Sequence, residues 1–217
     1  MPVITNHMKV MNNALGRIGS GKIMAEDEDT ELAGQIVPAY YSRLRATLGM
    51  SEWSFAGKTY KLDQVAQTAD NDYDADAQKF NNGWRFAFNL PGTRLGAPRK
   101  VLDNPRCPED PLRTFMIEAG VLYADVDQVW VTVTVLADPD LWDPLFALGM
   151  ETLAAADFCV PVAHDATLAG TLRVTAEGTP AEQGRGGIIG RAMSQDAAKA
   201  RTASPQWRDP LSDARFM

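Results

Sequence analysis

The chain has 217 residues, 45% of them hydrophobic, enough to bury a substantial core as one domain or one domain with appendages. Its 21 basic and 28 acidic residues give a net charge of −7. That balance argues against a protein that grips DNA, because neutralising phosphates requires an excess of Lys and Arg.

Met1 to His7 lack the charged start and apolar block of an export signal. No stretch is expected to reach the roughly twenty apolar residues that cross a bilayer. Met8, Met11, Leu15 and Ile18 then recur at three- and four-residue spacing, which predicts a first helix. The glycines after it are expected to end that helix, since Gly supplies the left-handed conformation at C′. The run Gly16-Arg17-Ile18-Gly19-Ser20-Gly21-Lys22-Ile23 is one residue short of a phosphate-binding loop. Ile23 stands where a Ser or Thr hydroxyl would hold magnesium, and a helical stripe precedes the run where a buried strand is required.

A second helix is expected after Asp27, Glu28 and Asp29, with Asp27 or Asp29 as its cap. Leu32, Ile36, Tyr40, Leu44 and Leu48 repeat every fourth residue up to Gly49, and Pro38 predicts a kink within one helix. Trp53 and Phe55 then share one face of an expected first strand, and Tyr60 and Leu62 continue the alternation. Residues 68–82 are polar and read as a mobile acidic loop. Asp70, Asp72, Asp74 and Asp76 resemble a calcium loop only superficially, because neither the turn glycine nor the terminal Glu is in place.

Trp84, Phe86, Phe88 and Leu90 alternate with Arg85, Ala87 and Asn89, a half-buried strand ended by Pro91. The Pro- and Gly-rich run 91–111 reads as a connector with a short strand at Arg99 to Leu102. A three-strand meander is expected next, at 113–118, 121–124 and 129–136, with Val129, Val131, Val133 and Val135 on one face. Trp53, Trp84 and Trp130 read as core aromatics rather than a base-stacking platform, since only Arg85 accompanies them. A third helix is expected to start at Asp138 to Asp140, with a wide apolar face of Leu141, Leu145, Leu148, Thr152 or Leu153, Ala156 and Cys159 or Val160. Pro161 interrupts it, and Asp165 caps a further segment bearing Leu168, Leu172 and Val174.

His7 and His164 form no pair at ligand spacing. Cys107 and Cys159 suggest no disulfide framework and read as free thiols in a reducing cytoplasm. Five glycines between Gly178 and Gly190 break regular structure before a short helix carrying Ile188, Ile189 and Met193. The final segment carries Trp207, Arg208, Leu211, Arg215 and Phe216, residue types of which Trp and Arg most often anchor interfaces.

These readings assemble into an α+β fold. Residues 1–50 and 138–203 form a helical bundle, 51–137 a β-rich insertion with a small antiparallel sheet, and 204–217 an extended C-terminal arm. No Ser/His/Asp grouping, Cys–His pair or zinc spacing is recognisable, so the chain is expected not to be an enzyme and to use no cofactor or metal.

The order of several short pieces is distinctive. Asn12, Ala14, Leu15, Ile18 and Gly19 come first, followed by an acidic turn, a Tyr- and Arg-bearing helix ending at Leu48, and Trp53-Ser54-Phe55-Ala56. Leu90-Pro91 with Arg94 and Arg99, Phe115 to Gly120, and Asp140 to Phe146 complete it. This order resembles the head-to-tail connector (adaptor) proteins of tailed phages, and is most similar to tail tubular protein A and the tail-accessory adaptors of short-tailed phages. Gly92-Thr93 replaces an acid expected in that pattern.

The resemblance implies a structural virion protein, assembled in the host cytoplasm and resident in the neck of the viral tail. It implies a closed homo-oligomeric ring, a dodecamer, between the portal protein and a downstream tail or nozzle protein. DNA would pass through the lumen during ejection without sequence-specific binding, and no membrane is involved. Trp207, Arg208, Leu211, Arg215 and Phe216 are then expected to dock the arm on a partner. The alternatives are another neck component, a stopper or terminator, or a nucleotide-binding enzyme using Gly16 to Ile23.

Overall fold

The computed structural model describes residues 6–182 and 184–199. Helix α1 (His7–Arg17) begins where the Asn6 side chain accepts the Lys9 amide at 2.8 Å, and it buries Val10, Met11, Ala14 and Leu15. Gly19, at φ +72°, ends it. The Ser20 amide reaches the Leu15 carbonyl and the Gly19 amide the Gly16 carbonyl, the paired bonds of a Schellman closure.

Helix α2 (Glu31–Gly49) is capped by Thr30, whose hydroxyl accepts the Ala33 amide at 3.2 Å. The acidic residues expected to cap it lie in the preceding loop; a hydroxyl three residues before a free amide is the better-placed acceptor. The predicted stripe is correct, with Ile36, Tyr40, Leu44 and Leu48 fully buried and Leu32 half-buried at its edge. Pro38 lies inside one continuous helix.

Trp53 opens no strand. It precedes a 3₁₀ turn, Ser54–Ala56, and its ring is fully buried in the helical core. Strand β1 starts only at Gly57 (Gly57–Lys61). A two-residue strand, β2 (Asp63–Gln64), follows. The stretch expected to be a mobile loop holds a 3₁₀ turn at Ala69–Asn71 and a small hairpin of β3 (Tyr73–Asp74) and β4 (Lys79–Phe80). Phe80 anchors it, packing against Tyr73 and against Tyr123.

Strands β5 (Phe86–Asn89), β6 (Lys100–Leu102), β7 (Phe115–Glu118), β8 (Val121–Ala124) and β9 (Trp130–Thr134) fall close to the expected positions. They do not form the expected three-strand meander. One antiparallel sheet has the order β2-β5-β8-β7 and another the order β1-β9-β6. The β7–β8 hairpin turns through Ala119 (φ +47°) and Gly120 (φ +85°), two positive φ values that fit the twist of the strands. After β8 the chain leaves that sheet, and β9 pairs with strands far away in sequence. Leu62, Phe88, Val101, Leu122, Val129, Val131 and Val133 fill the core between the two sheets.

A 3₁₀ turn at Pro139–Leu141 comes before α3 (Pro144–Phe158), so the helix starts later than Asp138, with Pro144 in its first turn. Its expected apolar face is right only in part: Thr152, Leu153, Ala156 and Cys159 are buried, but Leu141 is 63% exposed, Leu148 39% and Val160 54%. Phe146, Gly149, Met150, Ala154, Ala155 and Phe158, outside that face, are buried as well. Helix α3 is the hub of the bundle, contacting α1 and α2 and two later helices, so most of its surface is covered.

Pro161 does not break it. The helix runs on through a π turn at Cys159–Ala163 and stops at His164, φ +54°. Pro144–Ala163 is thus long and apolar enough to cross a membrane by length and composition, contrary to the expectation that no stretch reaches that length. Its position at the centre of a bundle is that of a core helix.

Asp165 caps α4 (Ala166–Glu177) as expected, accepting the Leu168 amide at 2.8 Å. Helix α5 (Gly187–Lys199) then folds back. The glycines before it serve this closure. A Cβ on Gly187 (φ +56°) would sit 2.6 Å from the carbonyl oxygens of Thr175 and Ala176, and one on Gly190 would overlap the Arg185 carbonyl. The fold is α+β, with the five helices of the described residues around one core and small antiparallel sheets around another.

Candidate functional site

The five residues expected to bind a partner, Trp207, Arg208, Leu211, Arg215 and Phe216, lie outside the described residues. The phosphate-loop-like run is placed and has other work. Asn12 Nδ2 donates to the Ile23 carbonyl at 3.0 Å, and Asn12 Oδ1 accepts the Ile23 amide at 2.9 Å. Ile23 is itself buried. A helix precedes the run, and its turn is clasped back onto that helix rather than opening a new one.

The aspartates of the 70–76 stretch are also locally engaged. Asp74 Oδ1 accepts the amides of Asp76 and Ala77, and Asp72 Oδ1 accepts Asn81 Nδ2. Among the described residues no group of three or more His, Cys, Asp or Glu is placed to hold a metal. Cys107 and Cys159 are both free, the latter buried with its thiol pKa raised by desolvation.

One residue joins the two cores, and two others lock the turn at Ser54–Ala56 into the helical one. Arg99 Nη1 donates to the Trp53 carbonyl at 2.9 Å and its Nε to Thr134 Oγ1 at 2.8 Å, tying the helical side to β9. Its Nη2 is buried without a partner among the described residues, and desolvation lowers the Arg99 pKa. Asp196 on α5, only 5% exposed, accepts the Ser54 amide at 2.7 Å and the Ser54 hydroxyl at 2.5 Å. Trp53 stands between these two ties. Its ring packs on Phe146 at 4.6 Å and Phe55 at 5.7 Å, and its indole N–H donates to the Thr47 carbonyl at 3.0 Å.

An ion-pair network clamps the bundle. Arg43 on α2 grips Asp157 on α3 through Nε (2.6 Å) and Nη2 (2.8 Å) and reaches Glu177 on α4 at 3.3 Å, while Arg173 also meets Asp157. The bidentate fork raises the Arg43 pKa, chiefly through its hydrogen bonds to Asp157.

His7 is the first residue of α1. Its Nδ1 lies 2.9 Å from the Tyr40 hydroxyl, and its ring packs on Tyr40, Tyr41 and Trp142. Burial lowers its pKa, with Glu26 and Asp138 opposing. Tyr41 donates to Glu26 at 2.7 Å, and desolvation first, then that carboxylate, pushes its pKa up to about 12. Such a cluster fixes the entry to α1.

A cavity of about 640 Å³ opens between α2, β1 and the 92–96 loop, lined by Arg45, Lys58, Tyr60, Thr93 and Arg94 among others. Sequence reading missed it, since its residues come from three separate segments with no shared motif. No protein-family model matches the chain, and no curated protein matches it.

Proposed function

We propose that the chain is a structural subunit of a head-to-tail connector ring in a tailed phage, joining portal to tail. The observation that carries the reading is where the residues of the resemblance fall. Asn12 clasps the first turn, Gly19 closes α1, and Trp53 fills the middle of the helical core. Arg99 ties bundle to sheet, Gly120 turns the β7–β8 hairpin, and Asp143-Pro144 starts α3. Each of these positions holds the shape of the subunit. None is arranged around a reacting atom.

A ring of identical subunits closes only when one head-to-tail contact, repeated, completes a full turn, so its function depends on subunit shape. Each contact can be modest, because many act together. The net negative charge suits a wall past which DNA slides without sticking. The segment 204–217, with Trp207 and Phe216 flanked by arginines, is the part proposed to dock on the portal. Removing it is expected to leave folding intact and to abolish co-purification with the portal protein. Undiminished co-purification would remove the arm from the account.

A further inference from the structure

Arg45 on α2, Lys58 on β1 and Arg94 after β5 converge on the cavity of about 640 Å³. None of the three is ion-paired with a carboxylate among the described residues. Among the described residues no Asp or Glu lines the cavity, a local reversal in a chain whose net charge is −7. Lys58 Nζ stands 5.0 Å from the centre of the Tyr60 ring, and the Tyr60 and Thr93 hydroxyls lie 3.5 Å apart at the same wall. Every polar side chain there can donate a hydrogen bond. Among the described residues the Arg94 Nε is buried with no hydrogen-bond partner.

We propose that this cavity binds a phosphate ester carrying an apolar or aromatic body, of mononucleotide size. Three cations and two hydroxyls match a phosphate monoester, which brings a charge of about −1.5 to −2 and three acceptor oxygens, better than a carboxylate with one charge and two oxygens. Leu95 and Leu136 supply an apolar wall for the body. The volume lies within the range of about 300–1,000 Å³ typical of small-molecule sites, so inorganic phosphate alone would leave most of it to water. The site is separate from Gly16 to Ile23, whose turn is occupied by the Asn12 clasp, and it does not depend on ring formation.

The same chemistry has two sources, a free mononucleotide or the phosphorylated end of a nucleic-acid strand. Calorimetric titration of the full chain with AMP, inorganic phosphate, citrate, and one oligonucleotide with and without a 5′-phosphate separates them. AMP should bind more tightly than inorganic phosphate and citrate. Arg45→Glu and Lys58→Glu should each weaken it about ten-fold or more, the loss expected when a charge-assisted contact is reversed. Both side chains are exposed, and Arg45→Gln, a milder change, should weaken it too. Binding of the 5′-phosphorylated strand but not its 5′-hydroxyl form assigns a strand end; AMP binding without either assigns a free nucleotide. The proposal is overturned if no phosphate compound binds, if citrate binds as well as AMP, or if the folded charge-reversal variants keep wild-type affinity.

Discussion

Trp53→Ala tests whether the 3₁₀ turn between α2 and β1 is the centre of the helical core. The ring is fully buried against Phe146 and Phe55, so truncation removes a large aromatic and leaves a cavity. Such changes cost about 3–5 kcal/mol, a large part of the roughly 5–15 kcal/mol that holds a domain together. Trp53→Phe separates packing from hydrogen bonding. It keeps a ring against Phe146 but loses the indole N–H. The Thr47 carbonyl that accepted it still receives the Met50 amide at 3.2 Å, so no buried acceptor is orphaned. The Phe variant should therefore lose only about 1 kcal/mol. Urea unfolding followed by far-UV circular dichroism reads both, at a fixed protein concentration because assembly would add its own stabilisation. With a slope of about 2–3 kcal/mol/M, Trp53→Ala should move the midpoint down by roughly 1.5 M and Trp53→Phe by well under half that. Equal losses in the two variants, or a loss below about 1 kcal/mol for Ala, would refute the assignment.

Asp196→Ala removes the acceptor of both the Ser54 amide and hydroxyl and should cost about 1.5–3 kcal/mol. Hydrogen exchange at the Ser54 amide should accelerate along with global unfolding, and unchanged protection there would argue against the tie. His7 has its pKa lowered by burial, so the unfolded chain binds that proton more readily than the folded one. Its contribution is complete above the unfolded value of about 6.5 and is lost as pH falls through the lower folded value. His7→Gln should flatten the loss of stability between about pH 7 and 5, read as urea midpoints at each pH. An identical slope would show that His7 titrates alike in both states.

The helices were legible wherever one face meets the core. In α2 the fourfold repeat of Ile36, Tyr40, Leu44 and Leu48 names the buried side, because the opposite side is wet. In α3 the same reasoning holds only in part. Its neighbours cover it on several sides, so apolarity runs almost all round and selecting one stripe put Leu141, Leu148 and Val160 inside when they are exposed. Strands were located well and paired poorly. Alternation in 129–135 reveals a two-faced strand, but the choice of β1 and β6 as partners of β9 is made by contacts across long stretches of chain. Trp53-Ser54-Phe55-Ala56 alternates like a strand yet forms a 3₁₀ turn, because tertiary burial of Trp53 outweighs so short a local pattern. The cavity gave no linear signal at all: Arg45, Lys58 and Arg94 come together only once α2, β1 and the 92–96 loop are packed.

The central claim is that this chain works by assembling. Native mass measurement of the purified protein, alone and with the portal protein, tests it most directly. The account predicts one closed stoichiometry of many identical subunits, a dodecamer by the resemblance, either in the free protein or on portal addition. A species that stays monomeric at every concentration, with portal present as well as absent, would contradict it.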